Sequence, residues 1–292
     1  MESKQENTLK KIKKKYNSLS KGHRRVADYI LKNYEKAAFM TAMAIAEQAK
    51  VSEATVVRFA SVLGFKGFPP FKKELQELIK TELTTLQRID MVANRETGAI
   101  AKEILRSDVE NIKHTIREID ENEFNRVVDA IIQARKIFII GFRTSSLLSR
   151  YFGYYLNIIS DQVIIIDHDG GDVYENLIKI TPDDVIIGIS FPRYSHKTNE
   201  ILSYVQKKGG KIIAVTDNQK APIVKHADHA LIAKSNIITF VDTLVAPLSL
   251  LNALIVAIGY KRKDQTWETF KELEELWREH DVYTGAKKYE EE

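Results

Sequence analysis

Five short apolar runs in the second half of the chain constrain the fold most. They are Lys136-Ile-Phe-Ile-Ile140, Gln162-Val-Ile-Ile-Ile166, Asp184-Val-Ile-Ile-Gly-Ile189, Lys211-Ile-Ile-Ala-Val215 and His229-Ala-Leu-Ile232. Each packs β-branched residues together without polar alternation, which suits strands buried on both faces of a parallel sheet. Between them, Ser145–Asn157, Val173–Ile180 and Thr198–Lys208 read as helices. Strands alternating with helices predict a doubly wound α/β domain of about five parallel strands. Thr243–Gly259 reads as a long apolar helix for the core or a subunit interface, and Thr266–His280 as an amphipathic last helix.

The first 80 residues have a different texture. The net charge of +4 divides into +9 over residues 1–80 and −5 over the rest, a basic head on an acidic body. The head is helical in pattern: Val26, Ile30 and Tyr34 recur at four-residue spacing. Thr41 and Ser52 can each cap a helix N-terminus, and Gly64 can supply a left-handed C-terminal residue. Two short helices joined by a tight turn make a helix-turn-helix, with Ile45, Ala49, Val51, Val56 and Phe59 at the crossing and Ala46 as the small contact. Ser52, Thr55 and Arg58 then fall on the outer side of the second helix, with Glu53 and Ala54 in its first turn. Such side chains can reach base edges and phosphates from the major groove. Lys50, Lys66, Lys72 and Lys73 flank them as phosphate contacts. Lys50 takes the turn position where glycine is common, which in a left-handed backbone costs about 1 kcal/mol.

Leu75–Leu86 and Asp108–Ile119 read as further helices, and Met91–Ala99 as a connecting stretch. The expected division is residues 1–80 as the DNA-binding domain, 81–121 as a helical linker and 122–292 as the α/β domain. The chain has no cysteine, which excludes disulfides, thiolate metal sites and a cysteine nucleophile. No apolar run approaches the ~20 residues of a membrane span, and the opening Met1–Glu6 lacks a signal peptide's apolar stretch. The expectation is a cytoplasmic protein with no membrane partner.

The string Val51-Ser-Glu-Ala-Thr-Val-Val-Arg-Phe59, followed by Leu63-Gly-Phe-Lys-Gly-Phe68 and Phe71-Lys72, resembles the N-terminal domain of the RpiR family of bacterial transcriptional regulators. The resemblance extends in order over the later strands. It implies an all-α helix-turn-helix domain joined to a flavodoxin-like SIS (sugar isomerase) domain that binds phosphorylated sugars. It further implies double-stranded operator DNA and a phosphorylated sugar as partners, with assembly as a homodimer or homotetramer.

In an open parallel sheet, ligands sit beyond the carboxyl ends of the strands, where helix N-termini favour anions. Two junctions there carry suitable residues. Gly141-Phe-Arg-Thr-Ser-Ser146 offers Arg143, Thr144, Ser145 and Ser146, and Ser190-Phe-Pro-Arg-Tyr-Ser-His-Lys-Thr198 offers Ser190, Arg193, Ser195 and Thr198. They match the two phosphosugar loops of the SIS domain, except that His196 stands where the family usually has glycine. His168, in Asp167-His-Asp-Gly-Gly-Asp172, is a third effector candidate, and Thr216–Asn218, Thr239 and Asp242 complete the rim. Asp and His spacing there fits no metal site, and no cofactor is expected. His226 and His229, flanking a short turn, read as structural or surface groups.

Two other functions remain open to the sequence. An aldose–ketose isomerase needs a positioned base, for which Glu175, Glu200, His168 and His196 are available, none in a matching catalytic motif. A scaffold that holds an acidic partner on the basic head is the third.

Overall fold

The computed structural model describes residues 8–82, 85–90, 96–167, 173–236 and 239–284. The chain divides into two compact units, Met1–Asn94 and Arg95–Glu292.

The first unit is helical: α1 (Thr8–Lys15), α2 (Lys21–Ala37), α3 (Ala42–Ala49), α4 (Glu53–Val62), α5 (Phe68–Glu82) and α6 (Thr85–Asp90). Its core gathers Ile12, Val26, Ile30, Ile45, Ala46, Val56, Phe59, Phe71 and Leu75, all buried. Phe59 and Phe71 meet edge to face, 5.9 Å between centroids. Each such side chain contributes roughly 1.5–3 kcal/mol by leaving water. Ser20, Thr41 and Ser52 cap α2, α3 and α4 by accepting from the backbone N–H three residues on. Helix α5 begins at Phe68, earlier than its periodicity predicts, because Pro69 and Pro70 fall in the first turn, where a missing N–H leaves no bond unmade.

The second unit opens with α7 (Thr97–Glu118) and α8 (Glu121–Gln133). There follow β1 (Ile137–Ile140), α9 (Ser145–Ile159), β2 (Val163–Ile166), α10 (Val173–Leu177), β3 (Val185–Ile189), α11 (His196–Lys208), β4 (Lys211–Thr216), β5 (His229–Ile232), α12 (Val245–Lys261) and α13 (Lys263–Glu279). The five strands are all parallel in the order β2-β1-β3-β4-β5, as the apolar runs predict. Alternate residues feed two cores. Ile137, Ile139, Ile187 and Val215 face α8, α9 and α12. Phe138, Ile140, Ile186 and Ala214 face α10 and α11.

The boundary between the two compact units falls between Asn94 and Arg95. Helix α7 is bound into the sheet unit: Thr115 Oγ1 accepts from Lys234 N (2.9 Å), Asn111 Oδ1 accepts from Asn236 N (3.1 Å), and Thr243 Oγ1 donates to Asp108 (2.6 Å). Its helix starts eleven residues before Asp108, at Thr97. No single described helix is long and apolar enough to cross a membrane.

Candidate functional site

In the first unit the turn between α3 and α4 is left-handed at Lys50 (φ 52°, ψ 52°), so the strain anticipated from its sequence position is present. Lys50 N–H still reaches Ala46 and Glu47 carbonyls, and Arg25 Nη1 donates to Lys50 O at 3.4 Å. Gly64 is left-handed too and closes α4, with Phe65 N donating to Ala60 O. On α4, Ser52, Glu53, Ala54 and Arg58 are exposed, while Thr55 is half-buried, its hydroxyl 2.9 Å from Ser52 Oγ. Arg58 Nε donates to Ala54 O (3.2 Å), which lays the guanidinium along the helix. Lys66 and Lys73 are exposed; Lys72 Nζ donates to Phe39 O at 3.2 Å and ties α5 to the turn before α3. Sequence reading missed Val57, exposed one turn after Ala54, although a branched apolar residue facing solvent on this helix was a readable signal.

In the second unit the chain leaves β1 toward β2 on one side and β3 toward β4 on the other. The switch point is therefore between β1 and β3, where loops diverge and leave a crevice. That crevice is a cleft lined by Phe142, Arg143, Thr144, Ser145, Ser190, Phe191, Pro192, Arg193, Ser195 and Asp242. Both expected loops contribute. Arg143 (φ 57°), in the loop after β1, and Arg193 (φ 64°), in the loop after β3, are both left-handed, a strain of about 1–2 kcal/mol each.

The second loop is braced from behind. Ser190 Oγ accepts from Ser195 N (3.3 Å), Ser195 Oγ accepts from Thr198 N (3.2 Å), and Thr216 Oγ1 donates to Ser190 O (2.7 Å). The Tyr194 hydroxyl donates to Asp217 (2.7 Å) and accepts from Asn218 (2.9 Å). The end of β4, a rim candidate in the sequence, thus fixes the loop rather than lining the cleft. Sequence reasoning also missed the apolar walls Phe142, Phe191 and Pro192.

Three expected residues lie off the cleft, among them Thr239, whose hydroxyl donates to Val241 O at 3.3 Å. Ser146 Oγ folds back onto Arg143 O (2.6 Å), and Thr198 is fully buried with no hydrogen bond to its hydroxyl among the described residues. His168, with 169–172, lies outside the described residues. Asp242 enters the cleft, its Oδ2 accepting from Thr144 Oγ1 at 3.2 Å. The isomerase candidates sit elsewhere: Glu200 accepts from Tyr174 (3.0 Å), and Glu175 and His196 are exposed.

At the other end of the sheet, Glu123 on α8 covers the edge of β5. Burial works to raise its carboxyl, but bonds from Arg126, Ala230 N–H and His229 outweigh it and hold the pKa below the ordinary value. Burial, aided by the Lys225 charge, holds the His226 ring below its ordinary pKa. Both histidines serve the framework.

A helix-turn-helix unit followed by a separate parallel-sheet domain with a polar cleft is the architecture of a two-part transcriptional regulator. Residues 6–82 match the helix-turn-helix domain of the rpiR family, and residues 130–257 match the SIS domain. The chain belongs to the RpiR family. An HTH-type transcriptional regulator of Haemophilus influenzae is 29% identical over 231 residues, 77% of this chain and 79% of that protein. The regulator HexR of Escherichia coli is 23% identical over 282 residues, 94% of this chain and 95% of its own. Among solved structures, Vibrio vulnificus NanR complexed with ManNAc-6P is similar with a TM-score of 0.59 and 23% identity, over 96% of this chain and all of that one. The protein is a transcriptional regulator of this type, and the SIS domain here serves a regulator rather than an isomerase.

Proposed function

We propose that the protein regulates genes of carbohydrate metabolism and that a phosphorylated sugar, bound between the β1 and β3 loops, modulates its grip on operator DNA. The observation that carries this reading is the pairing of Arg143 and Arg193, both left-handed, with the hydroxyls of Thr144, Ser145, Ser190 and Ser195 around one cleft. Guanidinium groups form charge-assisted bonds with phosphate, and hydroxyls at two helix starts supply further donors. The apolar walls Phe142, Phe191 and Pro192 suit the carbon face of a sugar. NanR, named with ManNAc-6P, supports a ligand of this class.

On the DNA side, α4 enters the major groove. Ser52, Glu53, Ala54, Thr55 and Arg58 meet base edges and flanking phosphates, Val57 adds an apolar contact for a thymine methyl, and Lys50, Lys66, Lys72 and Lys73 hold phosphates. A dimer of such heads reads two half-sites ~34 Å apart. The effector acts by preferring one arrangement of the pair, and a coupling of ~1–3 kcal/mol changes DNA affinity about 5–150-fold. Self-association is supported by α9 and α12, which leave Leu147, Tyr154, Val256 and Tyr260 exposed.

The test is a pair of variants. Arg58→Ala should weaken operator binding and leave phosphosugar binding intact, and Ser195→Ala should do the reverse. Loss of both activities in either folded variant contradicts the two-module reading.

A further inference from the structure

The proposed phosphate cleft already contains an anion. Asp242, on the segment between β5 and α12, is largely buried, with its side chain 9% exposed. Its Oδ2 accepts the Thr144 hydroxyl at 3.2 Å and lies 3.4 Å from Arg193 Nη2. One donor comes from the loop after β1 and the other from the loop after β3. These are the groups a phosphate bound between the loops requires. A phosphate and a carboxylate cannot share them, because two anions at contact distance repel.

We propose that Asp242 is a built-in occupant of the anion subsite, which the effector's phosphate displaces when it binds. This rests on the phosphosugar reading above. Displacement has a mechanical consequence, since the neighbouring residue is anchored on both sides. Thr243 Oγ1 donates to Asp108 on α7 (2.6 Å), and Thr243 O accepts from Ser235 Oγ (3.0 Å). Moving Asp242 therefore pulls on Asp108. Helix α7 is the first element of the sheet unit, next in the chain after the boundary with the helical unit. Asp242 then sets both the threshold for effector binding and the route by which binding is felt.

The experiment is calorimetric titration of the full-length chain with inorganic phosphate, glucose 6-phosphate and glucose. Wild type is compared with Asp242→Asn, which keeps the acceptor for Thr144 and removes the charge, and with Asp242→Asn/Arg193→Ala. Circular dichroism confirms that each variant is folded. The expected result is at least tenfold tighter inorganic phosphate and glucose 6-phosphate in Asp242→Asn, no change for glucose, and loss of the gain in the double variant. Equal or weaker phosphate binding in Asp242→Asn, with wild type binding measurably, overturns the displacement and leaves the phosphosugar site standing. Absence of phosphate and phosphosugar binding in all three overturns both.

Discussion

Replacing Lys50 by glycine should make the protein more stable and a weaker DNA binder at once. The φ of 52° and ψ of 52° place a side chain where Cβ crowds the backbone, at a cost of roughly 1–2 kcal/mol. Glycine removes that cost but brings a looser unfolded chain, which returns about 0.4–1 kcal/mol. The net gain is about 0.5–1 kcal/mol, or ~2–8 °C for a unit of this size. The bonds made by Lys50 N and O are backbone bonds and survive the change. Both tryptophans, Trp267 and Trp277, lie in α13, so tryptophan fluorescence reports the other unit, and scanning calorimetry with far-UV circular dichroism is the appropriate assay. Operator binding titrated against salt should lose about 0.9 from the slope of log K, the signature of one phosphate contact. Lys50→Asn, which tolerates the left-handed backbone, should lose the same slope. A lower melting temperature for Lys50→Gly would refute the strain argument, and an unchanged slope would refute the phosphate contact.

Gly141→Ala should collapse the first effector loop, because a Cβ there clashes with Ser149 Oγ and meets Ser145 O at 2.8 Å, and the second is backbone. The expected loss is about 1–3 kcal/mol of stability in the sheet unit, with phosphosugar binding abolished and operator binding retained in urea and anisotropy titrations. Burial lowers the His226 pKa in the folded chain, which therefore binds fewer protons there than the unfolded one. Its contribution is complete above the ordinary histidine pKa and declines as pH falls through the lowered one. Denaturant midpoints of wild type and His226→Gln should therefore converge as pH drops from about 7.5 to 5; a constant difference contradicts this. Val256→Asp, on the exposed face of α12, should shift the chain to a monomer in light scattering and weaken operator binding, without altering its circular dichroism.

The sheet is legible because its central strands β1, β3 and β4, buried on both faces, leave continuous Ile and Val runs bounded by Lys136, Asp184 and Lys211, whereas the edge strands β2 and β5 are only half-buried, contrary to expectation. The helix-turn-helix is legible because Thr41 and Ser52 cap with their hydroxyls, and Gly64 takes the left-handed backbone that only a residue without a side chain adopts freely. Helix α5 starts at Phe68, seven residues before the Leu75 that its periodicity marks, with Pro69 and Pro70 in its first turn. The first turns of α7 leave little trace in the sequence because residues 97–107 are exposed or only half-buried and so carry no clear apolar stripe. At the cleft, the hydroxyl-rich loops could be found but not their orientations. Ser146 and Thr198 have the same composition signal as Thr144 and Ser195, and only the fold turns them away. The left-handed Arg143 and Arg193 carry no sequence signal, since arginine has no preference for that backbone and loop closure imposes it.

The central claim, sequence-specific DNA binding under control of a phosphorylated sugar, is tested most directly by fluorescence anisotropy on the DNA upstream of the protein's own gene. Scrambled DNA serves as control, followed by a panel of phosphosugars with inorganic phosphate and unphosphorylated sugars. The account predicts tight binding that prefers the upstream sequence and shifts about 5–150-fold with one phosphosugar and not with its unphosphorylated form. Binding that ignores DNA sequence, or sequence-specific binding that no phosphosugar alters, would contradict it.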